Sequence, residues 1–348
     1  MIRTLKLVHF RNFSEKILHF DAEKNALIGQ NGAGKTNILE AISILGDRHI
    51  VPISFDEMVQ LGQEYFFVEC EYENGETRSI SYDKNTKRKK YFLNNKPTIK
   101  KKYLESTHIC CNFGPLFMNI MYLSPSLRRD FLDQVITTAY PHYSELLKKY
   151  KAIVTNRNKT LQSVQQGTSQ ASEIDFWDQS FVQLAEEIYV YRKELVSFFQ
   201  AHINEAKEYL GDEADSITLE YLSKVDLNNP QTSLTEYLIK NRQRDIILGK
   251  TAIGPHVDDF EILVNSDLAL AHFASRGETK SVILWLKMLE TVFIEKKTEK
   301  KPVLLIDDLL SELDQNHTQL FTEKIKYYQT IFSSIQPIEN IKNSITIE

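Results

Sequence analysis

Cysteine is almost missing from this chain: three occur in 348 residues, Cys70 and the adjacent pair Cys110 and Cys111. Three thiols without CxxC spacing offer neither a disulfide framework nor a zinc site, which points to a reducing, cytoplasmic setting. Long apolar runs are missing as well. The chain does not open on a basic start followed by roughly 7 to 15 apolar residues, and nowhere do about 18 apolar residues follow one another. A soluble protein with no membrane segment is therefore expected. Positive charge is not in surplus either, the formal net charge being −5, which argues against a chain coated in Lys and Arg for nucleic acid. Apolar residues, by contrast, are plentiful. Hydrophobic residues make up 42% and charged residues 26%, which excludes the regime of disordered chains. A length of 348 residues predicts one large domain or two joined ones.

The average charge hides an asymmetry. Between Lys84 and Lys102 stand nine Lys or Arg and no acid, so a basic stripe sits on an acidic body. Its centre, Lys87-Arg88-Lys89-Lys90, runs into Tyr91 and Phe92. Such a run is commonly just a solvated hairpin, but it is also the pattern that contacts nucleic-acid phosphates without regard to sequence.

Residues 1 to 28 alternate apolar and polar positions (Ile2, Leu5, Leu7, Ile17, Leu18, Phe20) and end in the apolar run Asn25 to Ile28. Two antiparallel strands feeding a buried central one are predicted. Ile38, Leu39, Ile42 and Leu45 then follow helical spacing. Residues 65 to 99 read as strands and hairpins, with turns at Asn74-Gly75 and Asn94-Asn95. From Ser126 to Leu210 glycine nearly disappears and several helices are expected, joined near Gln165 to Ser172. Strand character returns at Phe260 to Val264, followed by a helix carrying Val282, Trp285, Leu286 and Leu289 and by the apolar run Val303 to Ile306.

The most specific signal is Gly29-Gln30-Asn31-Gly32-Ala33-Gly34-Lys35-Thr36, which fills G-x-x-x-x-G-K-[ST] between a predicted strand and a predicted helix. Glycines let the backbone curve so that successive N–H groups face a phosphate, and the helix N-terminus adds partial positive charge. Lys35 is expected to reach the β and γ phosphates of ATP, and the Thr36 hydroxyl to ligate Mg²⁺, with Asn37 next along the helix. A second signal is Val303-Leu304-Leu305-Ile306-Asp307-Asp308, an apolar run ending in two carboxylates, as at the C-terminal end of a buried parallel strand. Alone, two such acids are often a polar turn. Beside a phosphate loop, Asp307 is expected to hold Mg²⁺ through its water shell, and Asp308 to orient or deprotonate the attacking water.

The stretch Asp307 to Asp314, with Ser311 and Asp314, resembles the Walker B and D-loop of ABC-type head ATPases. Ser275-Arg276-Gly277-Glu278 resembles their signature loop, though a Ser-x-Gly ahead of a helix is by itself only an N-cap signal. Three further segments carry a narrower resemblance, to the RecF family: the opening Leu5 to Phe13 with its Phe10-Arg11-Asn12, Ser124 to Asp133, and Gly254-Pro255-His256-Val257-Asp258-Asp259. These matches follow family order from residue 2 to about 334.

That resemblance implies an α/β ABC-type ATPase head, a mixed sheet around the P-loop helix, built from 1–120 and 244–348 with a helical lobe at 121–243. It implies that Arg11 and Asn12 approach the nucleotide, although an exposed edge strand would also suit them. Ser275 to Glu278 would cap ATP held by the partner of an ATP-dependent homodimer. The implied activity is slow, DNA-stimulated ATP hydrolysis in an ATP-dependent DNA-binding protein of recombinational gap repair. Such a protein acts on single-stranded and gapped double-stranded DNA with RecO-like and RecR-like partners to load RecA. The sequence departs from the family where Glu278 replaces the usual Gln, and where Leu116 replaces an acid after the proline. His256 reads as a packed, hydrogen-bonded histidine, and Arg128 with Arg129 as a solvated helix face. A DNA-binding scaffold that keeps nucleotide without turning it over is the main alternative. A nuclease sharing such a head would need an added acidic domain, for which no length remains, and a transporter ATPase would need transmembrane partners.

Overall fold

Leu5 and Leu7 are fully buried and Lys6 between them is not. That alternation is β1 (Ile2–Phe10), which turns at Arg11 and Asn12 into the antiparallel β2 (Phe13–His19), with Phe10 opposite Phe13. β3 (Lys24–Ile28) follows and leads through the glycine loop into α1 (Lys35–Leu45), nine of whose eleven residues are buried. A helix buried on nearly all sides needs cover on more than one face. Next come α2 (Phe55–Met58), the hairpin strands β4 (Tyr65–Tyr72), β5 (Thr77–Asp83), β6 (Arg88–Leu93) and β7 (Lys96–Thr98), then α3 (Lys100–Glu105) and β8 (Cys110–Phe113). Gly75, Asn94 and Asn95 adopt positive φ at the two predicted turns.

Three long helices, α4 (Pro125–Ala139), α5 (Tyr143–Gln165) and α6 (Glu173–His202), open the second part. After β9 (Ile217–Leu222) and α7 (Pro230–Leu248) come β10 (Asp259–Val264), β11 (Leu268–Ala269), α8 (Leu270–Phe273) and α9 (Arg276–Thr298). The chain closes with β12 (Val303–Asp307), α10 (Gln315–Lys324), β13 (Thr330–Ser334) and β14 (Asn343–Thr346). The computed structural model describes all residues except 47–53, 106–108, 115–116, 118, 123, 211–214, 310–314 and 339–340.

The fold is α/β, and its strand directions are divided between sheets. The head carries a six-stranded antiparallel sheet, β2-β1-β4-β5-β6-β7, and a five-stranded sheet, β14-β3-β13-β12-β8, in which every pairing is parallel. α1 packs on strands of both, which explains its burial.

Two compact units result, 1–118 with 298–348, and 119–297. The expected return to the head at 244 is thus displaced to about 298. The reason is pairing: β10 joins β9 in a three-stranded antiparallel sheet of the second unit, and Arg128 of α4 holds Asp259 of β10 through two bonds of 2.7 and 2.8 Å. Arg128 and Arg129 are therefore not a solvated face. Arg128 also donates to the Ile120 carbonyl, and Arg129 donates to the Asp258 carbonyl at 2.9 Å.

Behind that contact lies a buried polar network. Arg192 of α6 donates to Asp133, to the Tyr221 hydroxyl and, at 2.6 Å, to the Pro255 carbonyl. Asp258 accepts from Tyr189, Tyr221 and Ser223. His256 is held by the Tyr150 hydroxyl at 2.7 Å and lies 3.2 Å from the Thr251 carbonyl, so it is the packed histidine its sequence context predicts. All three cysteines are buried and unpaired by disulfides, and among the described residues no helix is long and apolar enough to cross a membrane.

Candidate functional site

The loop from Gly29 to Gly34 joins the end of β3 to the start of α1. Gly34 is the N-cap of α1 at φ 102° with no side-chain cap, so the first N–H groups of the helix are left for a ligand. A Cβ on Gly34 would lie 2.6 Å from the Asn12 amide oxygen and 2.7 Å from Phe13, which bars any larger residue. Asn12 fills that space and braces the loop. Its amide donates to the Ala33 carbonyl at 3.0 Å and accepts from Asn37 at 2.9 Å. Gly29 is fixed on the other side, where a Cβ would meet the Ile347 carbonyl beside β14 at 2.4 Å. Lys35 folds back so that its ammonium donates to the Gly29 and Gln30 carbonyls at 2.7 and 2.9 Å.

Opposite the loop stand the two acids. β12 ends at Asp307, whose carboxylate oxygens both accept from the Thr36 hydroxyl at 2.9 Å. The parallel register of β12 and β13 sets Asp307 beside Ser333, which donates to Asp307 Oδ1 at 2.6 Å. Asp308 follows with φ 48°, in the left-handed region. Its backbone N–H donates to the Ser333 hydroxyl at 2.9 Å. Asn31, Gly32, Gly34, Lys35, Thr36, Asn37, Asp307, Asp308 and Ser333 together line a cleft of about 170 Å³.

Two segments separated by some 270 positions, each selected in the sequence for phosphate or magnesium chemistry, thus converge on one polar cleft. Among the described residues no group of three or more His, Cys, Asp or Glu forms an all-protein metal site. Thr36 with Asp307 suits Mg²⁺ instead, a cation that keeps waters and shares its coordination with phosphate oxygens.

Known proteins resemble this chain over nearly its whole length. The family described as RecF/RecN/SMC N terminal domain matches residues 1–338. A DNA replication and repair protein RecF from Thermoanaerobacter sp. (strain X514) is 30% identical over 342 residues, which is 95% of this chain and 93% of that protein. The chain belongs to the RecF family. A second relative of the same description, from Acetivibrio thermocellus, is 31% identical over 341 residues, 95% of this chain and 92% of its own. A solved structure of the recombination mediator protein RecF-ATP in the RecFOR pathway matches with a TM-score of 0.88 over 99% of this chain and 95% of that one. At 24% identity that likeness shows the fold.

The RecF-type Phe-Arg-Asn segment does not follow an edge strand, and of its three residues Asn12 alone is exposed. β1 lies between β2 and β4, and Arg11 makes two bonds to Glu40 of α1, at 2.7 and 2.9 Å, and a third to the Glu57 carbonyl. Arg11, Asn12 and Asn37 also border a second cleft of about 520 Å³, completed by Asp56, Glu57, Val59, Leu61 and Lys84. Asn37 is common to both clefts.

The signature-like segment belongs to the second compact unit, at the start of α9. There Glu278 is turned back on its own helix. Its carboxylate accepts from the Ser275 N–H at 2.8 Å, while the Ser275 hydroxyl accepts from the Glu278 N–H at 3.3 Å. This reciprocal capping box is made equally well by Gln, the usual RecF residue here. Arg276 and Gly277 are exposed. Ser311 and Asp314 of the D-loop lie outside the described residues, as does Leu116.

The basic run is split by strand alternation. Lys87 ion-pairs with Asp56, and the Lys89 ammonium sits 3.3 Å above the Phe55 ring, so both turn toward α2. Arg88 and Lys90 project from the opposite face of β6, and all four basic residues remain exposed. Ser333 is the lining residue that the sequence does not point to. No motif marks it, and only the register of two parallel strands brings it to the cleft.

Proposed function

We propose that this chain is an ATP-dependent DNA-binding protein of recombinational gap repair that dimerises on ATP and hydrolyses it slowly, with stimulation by DNA. The observation that carries the ATP part is the bond between Thr36 and Asp307 across a cleft whose other wall is the glycine loop. ATP would lay its β and γ phosphates against the N–H groups of Gly32 to Thr36. Lys35 would exchange its two carbonyl partners for phosphate oxygens. The second cleft, sharing Asn37, would receive the nucleoside. The RecF-ATP neighbour supports this choice of ligand.

Mg²⁺, when bound, would supply positive charge that neutralises the phosphates. Thr36 would ligate it, and Asp307 would accept from its waters. Asp308 would hold the attacking water and take its proton. Ser275, Arg276, Gly277 and Glu278 of a second copy would cap the γ phosphate, and Ser311 and Asp314 would complete that contact.

The repair role rests on family membership, since the curated relatives are DNA replication and repair proteins. Single-stranded and gapped double-stranded DNA would meet Arg88 and Lys90, with the nearby lysines of the stripe, through phosphate contacts that weaken as salt rises. Lys87 and Lys89 would join only after leaving Asp56 and Phe55. RecR-like and RecO-like proteins are the partners in this reading.

Equilibrium titration with a fluorescent ATP analogue tests the site. The wild-type protein should saturate, and Lys35→Ala should weaken binding by about 100-fold, the size expected for losing charge-assisted phosphate bonds. Equal affinity in both proteins would exclude the cleft as the nucleotide site.

A further inference from the structure

Ser333 is a small polar residue on the parallel strand beside β12, and no motif predicts a function for it. Its hydroxyl does two things at once. It donates its single proton to Asp307 Oδ1 at 2.6 Å, and it accepts the Asp308 backbone N–H at 2.9 Å. The register pairs Asp307 with Ser333 directly, so both side chains leave the sheet on one face and both line the cleft. Asp308 sits at φ 48°, a region that non-glycine residues occupy only when surrounding contacts hold them there. The Ser333 bond is one such contact.

We infer that Ser333 is the positioning residue of this site, one hydroxyl that sets both the rotamer of Asp307 and the backbone of Asp308. The inference rests on the reading of the cleft as an ATP and magnesium site. With Oδ1 held by Ser333, the Asp307 carboxylate presents Oδ2 and its remaining lone pairs toward Thr36 and the cation. With its N–H anchored, Asp308 carries its carboxyl at a fixed height above the loop. Ser333 touches neither substrate nor metal in this role. It acts through the two acids, as outer-shell partners of metal ligands do, and removing such partners typically costs about 10- to 100-fold in metal affinity or activity.

The test compares wild-type, Ser333→Ala and Ser333→Thr proteins by three measurements: equilibrium affinity for a fluorescent ATP analogue in EDTA and across a MgCl₂ titration, steady-state hydrolysis, and thermal unfolding. In Ser333→Ala, affinity in EDTA should match wild type while the affinity gained on adding Mg²⁺ shrinks by about tenfold or more. Turnover should fall and KM for ATP in Mg²⁺ should rise in step with the lost affinity, and Ser333→Thr, which keeps the hydroxyl, should restore both. A Ser333→Ala protein with the wild-type gain on Mg²⁺ and wild-type turnover overturns the inference. Loss that Thr does not restore, together with a lowered unfolding temperature, also overturns it and leaves a packing role. The binding measurement decides the matter even for a chain that turns over too slowly to follow. A wild-type protein that binds no ATP, or whose binding ignores Lys35→Ala, sinks the underlying reading and this inference with it. Normal binding with an indifferent Ser333→Ala sinks the inference alone.

Discussion

Glu40 is only 3% exposed, in a helix that packs against two sheets, and a lone carboxylate there would be costly. Arg11 makes it tolerable through two parallel bonds, and the pair in turn holds Arg11 at φ 54°, a left-handed conformation disfavoured for arginine. The pair stands directly under the phosphate loop, since Asn12, next in the chain, braces Ala33 and Gly34. Breaking one side of such a pair leaves a buried charge, and about 3 kcal/mol of stability should be lost in Arg11→Ala. Adding Glu40→Leu to that variant should recover much of the loss, because the stranded charge is removed. Denaturant unfolding of the wild type, the two single variants and the double variant measures this coupling. Additive losses would show that the pair contributes nothing as a pair.

At the scale of elements, the segment 251–256 is docked on α5 and α6 by His256 against Tyr150 and by the Pro255 carbonyl against Arg192. Burial pushes the His256 imidazole down to about 4, so it is neutral in the folded state at ordinary pH. The unfolded chain has the higher pKa, near 6.5, and binds the proton first. Stability from this group is therefore complete above about pH 6.5 and declines as pH falls toward 4, by about 2 kcal/mol between pH 7.5 and 5. Urea unfolding at the two pH values should show that decline in the wild type and a smaller one in His256→Gln. An equal decline in both would place the acid sensitivity elsewhere.

Some of these elements could be read directly from the sequence and some could not. β1, β2, β3, α1 and β12 announce themselves because each has one consistent environment along its length, and the glycine loop because phosphate binding demands particular residues at fixed spacing. The division into two sheets and the place of β10 depend on which strands pair, a non-local choice that alternation does not encode. Arg128 looks solvated in sequence because its partner, Asp259, is 131 positions away. Ser333 is invisible for the same reason, its function being set by a strand register. Glu278 reads as a departure from the RecF pattern, and the capping box turns it into a near equivalent of Gln.

At the scale of the whole molecule, the phosphate loop and the signature-like segment belong to different compact units of one chain. In the proposed mechanism the second of these serves the nucleotide of another copy, so ATP favours the dimer because only the dimer completes its contacts. Hydrolysis removes that advantage. Asp308→Ala should therefore bind ATP, fail to cleave it and remain closed. The most direct measurement is the molar mass of Asp308→Ala by light scattering, without nucleotide, with ADP, and with saturating ATP and Mg²⁺. The expected result is the 40.4 kDa monomer in the first two conditions and twice that mass in the third. A mass of 40.4 kDa throughout, with ATP binding verified in the same sample, would contradict nucleotide-driven closure.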